Sequence, residues 1–403
     1  MPNQFINTQL VSNTALAMFA NNAPFIMTGS RIYQDDFTSS GYKIGDTLQV
    51  RRQNNFVVGD GSTATPQDII ETVENIVVAH QYHTLIAYTV ADLSLRIEDF
   101  SRMFIQPAIQ DIISQMEIDI CRAAEQELYL FSGTAGTPIN SYTTVDLAGA
   151  KLLEMGVNIS SDAYMAMTVR DGSSLKGSLL NQFTPVFNEE IVRQSAIGHL
   201  SYFDIFQSQN IVRHQAGAGP TNFPADPLLV NGAVGSGNVI VLDGATASIA
   251  NYFLPGDLIS IAGVQSTNAL SRKATGQDMQ FVITAPASSD GAGNITIQVS
   301  PSIISSTSSP YQNVSNPIPD NAVVTVVPSY NVNIAYPSRG LDIVCPPLYK
   351  LQVPDASIAI DPETGLSLAI TQIGDILAYQ NYMRLDILCG FKWHGQYAEK
   401  VLS

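Results

Sequence analysis

Charge is scarce in this sequence. Asp, Glu, Lys and Arg make up 13% of its 403 residues, about half the usual quarter. Nineteen basic side chains face thirty-five acidic ones, for a net charge of −16. A protein that holds nucleic acid by neutralising phosphates carries the opposite sign. A disordered chain carries more charge and fewer apolar residues than the 45% present here. Long apolar runs are missing too: none approaches the roughly 18 residues of a membrane-spanning helix. Cysteine is down to three, Cys121, Cys345 and Cys389, with no CxxC spacing. An odd count in a long chain argues against a disulfide framework or a cysteine zinc site, and the apolar surroundings of all three point to buried thiols. Of five histidines, the one close pair, His80 and His83, falls in a strand-like run. Side chains three apart on a strand point to opposite faces, which is poor geometry for a shared metal. No metal and no cofactor is expected.

The first thirty residues contain no charged side chain. A secretory signal needs a basic start and an unbroken apolar stretch, whereas Asn13, Thr14, Asn21 and Asn22 interrupt this one. Residues 8–20 read instead as a short amphipathic helix with Val11, Ala15, Met18 and Phe19 on one face. The protein is expected to be made and used without crossing a membrane.

What is present is apolar material for large cores in a chain long enough for two or three domains. Residues 43–82 read as a long hairpin, with one arm over 46–58, a turn-rich tip at 59–62 and a return arm over 71–88. It lacks the apolar content for its own core and must lie on something else. Arg51 and Arg52 stand out as charges there, read either as solvated or as contacts to a neighbour. Residues 107–131 give the strongest helical signal: Ile109, Ile112, Met116, Ile120, Ala123 and Ala124 form a stripe, Pro107 suits the first turn, and Gly133 is the expected stop. At about 1.5 Å per residue this is a strut across a whole domain. Residues 144–155 read as a helix stopped by Gly156, 163–169 as a buried strand, 171–183 as a helix capped by Asp171, 189–196 as a helix and 203–212 as a strand.

From 217 to 333 the composition changes. Six Asp, one Arg and one Lys are the only charges in these 117 residues, and no helical period appears. Five short strand-like runs, 238–243, 257–263, 279–285, 294–300 and 322–327, predict an all-β module of barrel or sandwich type inside an otherwise α+β chain. In the last stretch, 381–391, Met383, Leu385, Ile387, Cys389 and Phe391 alternate with Tyr382, Arg384 and Asp386, the pattern of a half-buried strand.

The sequence lacks GxSxG, HExxH, a Walker loop and GxGxxG. The glycines after His214 are not followed by Lys-Ser or Lys-Thr. The pairs Asp35-Asp36 and Glu189-Glu190 are adjacent, so their side chains do not face each other in a helix or strand. No catalytic residue is assigned, and the chain is read as a non-enzyme.

The order of elements resembles the coat proteins of tailed bacteriophages with the HK97 fold, in their P22-like branch. The stretch 71–120 carries most of the likeness, with Leu95, Ile97, Asp99, Phe100, Arg102, Pro107 and Ala108 in the family's pattern. AIGHLSYFDIFQSQNIV (196–212), LPGDLISIAGV (254–264) and the ending MRLDILCGFKWHGQYAEKVLS are similar to further family segments. The resemblance implies an N-terminal arm at 1–30 and an E-loop hairpin with a P-domain strand at 31–90. It implies a spine-helix region at 91–134, an A-domain at 135–216 and 334–370, an inserted β-domain at 217–333, and C-terminal P-domain strands at 371–403.

It further implies a structural major capsid protein that self-assembles as hexamers and pentamers into an icosahedral shell around double-stranded DNA. Scaffolding protein and portal would take part in assembly in the host cytoplasm, with no membrane partner, and the product would be the virion head. Negative charge would keep the packaged DNA from adhering to the wall. Candidate subunit contacts are Val11, Met18 and Phe19 in the arm, Lys43, Arg51, Arg52 and Asp60 in the hairpin, and Asp226. Asp226 is the one charge in 217–237, where P22-like relatives carry a charged bridging loop. Lys43 is read as a surface lysine rather than as the donor of a crosslink to an asparagine such as Asn381. The competing readings are an encapsulin-like cargo shell and a soluble enzyme or carbohydrate-binding protein with an appended β-module.

Overall fold

The computed structural model describes residues 15–16, 23–33, 45–51, 54–58, 60, 62, 66–69, 73–89, 101–159, 162–180, 198–219, 227–348, 355–360, 366–375 and 380–403. Of the expected helix at 8–20, only Ala15 and Leu16 fall among these residues, helical and buried. The expected helix at 189–196 and the pairs Asp35-Asp36 and Glu189-Glu190 lie outside them.

The chain divides into two compact units. The first comprises Met1–Val50, Val73–Ile120 and Leu341–Lys392. Its main sheet is built around the strand Gln380–Trp393, flanked by Leu341–Val344 and by Ser367–Asp375, with Asp355–Ile360 beyond the latter. The strand His80–Thr89 also pairs antiparallel with Gln380–Trp393, from Cys389↔His80 to Gln380↔Thr89. Period-two burial explains this sheet. Met383, Leu385, Ile387 and Cys389 are buried as the alternation predicts. Asp386, expected on the polar side, is buried too, because Arg384 Nη2 at 2.8 Å and Gln81 Nε2 at 2.9 Å supply its carboxylate with donors. Gly390 is needed next to them: a Cβ there would stand 2.6 Å from the Val77 carbonyl oxygen.

The hairpin base forms a two-stranded sheet of Thr47–Arg51 and Val73–Val77. Val50, Ile76 and Val78 pack with Val344 and Leu388, so its base shares the core of the first unit as the lack of a core of its own requires. His80 stacks on Phe391 with ring centroids 5.1 Å apart, which gives this histidine a packing role.

The long helix runs over Gln106–Glu127, preceded by a π-helical turn at Ser101–Ile105. Ile109, Ile112, Ile113, Met116 and Ile120 line its buried stripe, and Cys121 rather than Ala123 continues it. Tyr82 donates a 2.9 Å hydrogen bond to Asp119, fixing the strand His80–Thr89 to the helix. Burial, first, and then the neighbouring Cys389 thiol and Asp119 carboxylate push the Tyr82 phenol far up, so it stays a neutral donor. The helix stops at Glu127, short of the expected 131, because Phe131–Gly133 is taken as a strand by parallel pairing with Glu399–Leu402. All three cysteines are buried thiols.

The second unit comprises Arg51–Thr72, Cys121–Gly340 and Trp393–Ser403. Its mixed sheet runs Phe131–Gly133, Glu399–Leu402, Tyr330–Pro337, Ala163–Met167, Phe203–Gln207, Gly198–Leu200, and Arg213–His214 pairs with Tyr330–Pro337. The last residues, 393–403, thus complete this sheet, while 341–392 belong to the first unit. The strand expected at 203–212 ends at Gln207 and resumes as Arg213–His214.

Two helices accompany the sheet, Tyr142–Glu154 and Val169–Leu179. Gly156, at φ +87°, follows the first as the expected stop. The cap of the second is Thr168, not Asp171: the Thr168 hydroxyl accepts from the Asp171 N–H at 3.1 Å. Asp171 sits inside the first turn, buried, and accepts from Asn333 Nδ2 at 3.0 Å and from the Ser403 hydroxyl at 2.6 Å.

Residues 228–326 form a closed antiparallel barrel. Around its wall the order is Leu228–Val230, Ser236–Asp243, Ile295–Ile304, Ala274–Ile283, Leu258–Thr267, Val323–Val326 and back to the first. Five of these match the strand-like runs of the sequence. Leu228–Val230 has no alternation long enough to be read, yet it closes the barrel through Leu242↔Val230 and Val323↔Leu229. Ile295, Ile297 and Val299 point inward at period two and join Leu242, Phe281 and Ile261 in the packed interior. No helix among the described residues is long and apolar enough to cross a membrane.

Candidate functional site

Six of the candidate contact residues, Val11, Met18, Phe19, Lys43, Arg52 and Asp226, lie outside the described residues. Arg51 ends the strand Thr47–Arg51, and Asp60 is exposed near the hairpin tip. What the structure adds is apolar: in the outer hairpin Phe56 is 56%, Val58 93% and Ile69 66% exposed. The two arms are clasped there by one side chain. Val57 N–H donates to Gln67 Oε1 at 2.9 Å, and Gln67 Nε2 donates back to the Val57 carbonyl. Sequence reasoning favoured the charged residues of this segment. The available signal for the others was Phe56, Val58 and Ile69 themselves, apolar in a segment with no core to bury them.

The most organised polar site is where barrel and sheet meet within the second unit. Three sets of contacts hold it. At the first, the hairpin tip between the barrel strands Leu258–Thr267 and Ala274–Ile283 finishes the helix Tyr142–Glu154. Asn268 Nδ2 donates to the Glu154 carbonyl at 2.7 Å and Ala269 N–H to the Met155 carbonyl at 3.2 Å. These are carbonyls that a helix end leaves without partners of its own.

At the second, Gln280 of the barrel pairs with both main-chain groups of Phe131. Phe131 N–H donates to Gln280 Oε1 at 2.9 Å and Gln280 Nε2 to the Phe131 carbonyl at 3.0 Å. Lys151 Nζ donates to the same two oxygens, at 2.6 Å to Gln280. Burial pushes the Lys151 ammonium down and the nearby Glu399 carboxyl up, and each charge partly offsets the other's burial.

The third set is the most buried. His214, 1% exposed, is held between two carboxylates: Nδ1 lies 2.5 Å from Glu125 Oε1 and Nε2 2.7 Å from Asp257 Oδ1. Asp257, on the turn before Leu258–Thr267, is 0% exposed and also accepts from Leu254 N–H at 2.7 Å and Gly217 N–H at 3.2 Å. The imidazole packs on the Tyr330 ring, 4.9 Å between centroids. Lys400 Nζ donates to the Glu125 carbonyl at 2.5 Å and to Tyr330 Oη at 3.1 Å, and Tyr330 Oη donates to the Gly256 carbonyl at 3.0 Å. Gly256, at φ +98°, leaves the room: a Cβ would stand 3.1 Å from His214 Cε1 and 3.2 Å from Glu125 Cγ.

Two carboxylates and two cations make this cluster electrically balanced when both cations are protonated. Burial disfavours charge on His214, but the hydrogen bonds and charges of Asp257 and Glu125 outweigh it and raise its pKa. Burial takes the Lys400 ammonium down to about 7 despite the same two carboxylates. The polar atoms are spent on one another, and all but the Glu125 carboxylate are closed off from solvent, so the cluster is built to fasten segments rather than to meet a substrate. Among the described residues, no group of three His, Cys, Asp or Glu is arranged to hold a metal ion.

Comparison with known proteins adds a family. The family model described as P22 coat protein, gene protein 5, matches residues 58–394. No curated protein matches the chain. Among solved structures, the chain is similar to one titled Mycobacterium phage Che8, at 9% identity and TM-score 0.47, over 94% of this chain and 90% of that one. The capsid of Ralstonia phage GP4 is similar at 7% identity and TM-score 0.45, over 91% and 83%. The CUS-3 coat protein I-domain is similar at 23% identity and TM-score 0.20, covering 26% of this chain and 96% of that one.

Proposed function

The chain belongs to the P22 coat protein family, and on that premise we propose that it forms an icosahedral head of hexamers and pentamers around double-stranded DNA, with an HK97-like subunit. It is a structural coat protein of a phage head and not an enzyme. Self-assembly is therefore its activity, and the virion shell is where it resides. In the proposed assignment, residues 1–30 are the arm, 31–90 the E-loop and a P-domain strand, and 91–134 the spine region. Residues 135–216 with 334–370 are the A-domain, 217–333 the inserted barrel domain and 371–403 the last strands. Scaffolding protein and portal are the proposed assembly partners, and the host cytoplasm the proposed place of assembly.

The observation that carries the mechanism is the exposed apolar set Phe56, Val58 and Ile69 in the outer hairpin. Covering such side chains stabilises a contact by about 1.5–3 kcal/mol each. A contact of this size is weak alone and strong when every subunit of a closed shell repeats it. We assign this covering to the neighbouring subunit, with Lys43, Arg51, Arg52 and Asp60 as polar contacts beside it, Val11, Met18 and Phe19 as apolar contacts of the arm, and Asp226 as a contact between capsomers. A photoreactive residue placed at Val58 tests the hairpin. Irradiated shells are expected to yield crosslinked ladders of coat subunits, and the unassembled subunit none. Crosslinks confined within one chain in the shells would count against the assignment.

A further inference from the structure

We propose that the His214 cluster is a proton-controlled latch between the end of the long helix and the barrel's anchor, closed when the imidazole carries two protons and released on the Glu125 side when it carries one. Five segments converge on it. Glu125 comes from the helix Gln106–Glu127, His214 from the strand Arg213–His214, Asp257 from the barrel turn, Tyr330 from the strand Tyr330–Pro337 and Lys400 from Glu399–Leu402. These are the titratable groups that face the imidazole or its partners.

The two contacts of the imidazole are not equivalent. With both ring nitrogens protonated, each donates to its carboxylate. With one proton left, the geometry keeps it on Nε2. Asp257 is fully buried and cannot turn to water, and Leu254 and Gly217 N–H groups hold it in place. Nδ1 then presents a lone pair to Glu125 Oε1 at 2.5 Å, two acceptors with no proton between them. The Glu125 side chain is 18% exposed and has solvent to turn to, so this is the joint that opens. The Glu125 carbonyl still receives Lys400, so the release concerns the carboxylate and the strand facing it rather than the whole helix end.

The sign follows from the raised pKa of His214. Its stabilisation is fully present below its ordinary 6.5 and is lost as pH rises through its higher folded value. Lys400 pulls the other way: the cost of its buried charge is present below about 7 and is relieved as pH rises toward the ordinary 10.5. Global stability therefore mixes two opposite slopes, and the latch must be read locally.

The test is amide hydrogen exchange in the full-length unassembled subunit. Protection of residues 213–217 is taken as a ratio to that of the barrel strand Ala274–Ile283 in the same sample, which cancels the intrinsic pH dependence of exchange. In the wild type the ratio is expected to fall with rising pH between 6.5 and the folded value of His214, by at most about tenfold per pH unit, and to level off above it. In E125Q it should stay flat, because a carboxamide can donate to the neutral imidazole. The His214 ring resonances should titrate above 6.5. A flat ratio in the wild type, an equal fall in both proteins, or titration at or below 6.5 would overturn the proposal. If E125Q does not fold, the wild-type ratio and the ring titration decide it together.

Discussion

Asp257→Ala is expected to lower the stability of the second unit by about 3–5 kcal/mol, the cost of breaking a buried ion pair from one side. The reason lies in what the carboxylate serves. It is 0% exposed and accepts from His214 Nε2, Leu254 N–H and Gly217 N–H. Removing it strands two main-chain donors, each worth about 1–3 kcal/mol when left unmet in the interior. It also leaves the imidazole with Glu125 alone, so the pKa of His214 falls toward the value that burial dictates. Asp257→Asn keeps an oxygen for the two main-chain donors and removes only the charge, so it should cost clearly less. Urea unfolding followed at Trp393, the lone tryptophan, which is buried in this unit against Tyr336, reports the difference. Equal midpoints for the wild type and Asp257→Ala would show that the cluster does not fasten barrel to sheet.

Phe56→Asp combined with Val58→Asp is expected to abolish shell formation and leave the subunit folded. Both side chains are exposed, so their replacement should change subunit stability by no more than about 0.5 kcal/mol. In the assembly each replacement forfeits about 1.5–3 kcal/mol of apolar burial. Every 1.4 kcal/mol is about tenfold in a binding constant, so each contact weakens by at least about a hundredfold. Placing carboxylates in a contact made by a chain of net charge −16 adds repulsion. Sedimentation should show the variant as unassembled subunit with an unchanged melting curve. Shells formed at the wild-type yield would remove the outer hairpin from the contact.

Much of the fold was legible because its signals are local. The stripe Ile109, Ile112, Met116, Ile120 marks the long helix, and the alternation Met383, Leu385, Ile387 marks the central strand. Five barrel strands showed through their turn-bounded β-branched runs. The short pieces did not show. Phe131–Gly133 and Leu228–Val230 are three residues each, and their pairing is set by partners far away in sequence.

The helix overran its true end for the same reason, since nothing between Glu127 and Phe131 announces a strand that exists only because Glu399–Leu402 pairs with it. The His214 cluster is the extreme case. Glu125, His214, Asp257, Tyr330 and Lys400 share no spacing, and each has a bland reading on its own. Asp257 stood inside the family-like segment LPGDLISIAGV, as one of six Asp in a region nearly empty of charge. That was the one available hint that it had a partner to pay for its burial. Charge scarcity itself has a clearer meaning in the structure: in the second unit, several of the few charges present are placed inside, at the joints between barrel and sheet.

Electron microscopy of the purified chain, expressed alone and beside the proposed scaffolding partner, tests the central claim most directly. A coat protein of this family should give closed, uniform shells. A chain that stays a 43.4 kDa monomer under those conditions, forming neither capsomers nor shells, would contradict it.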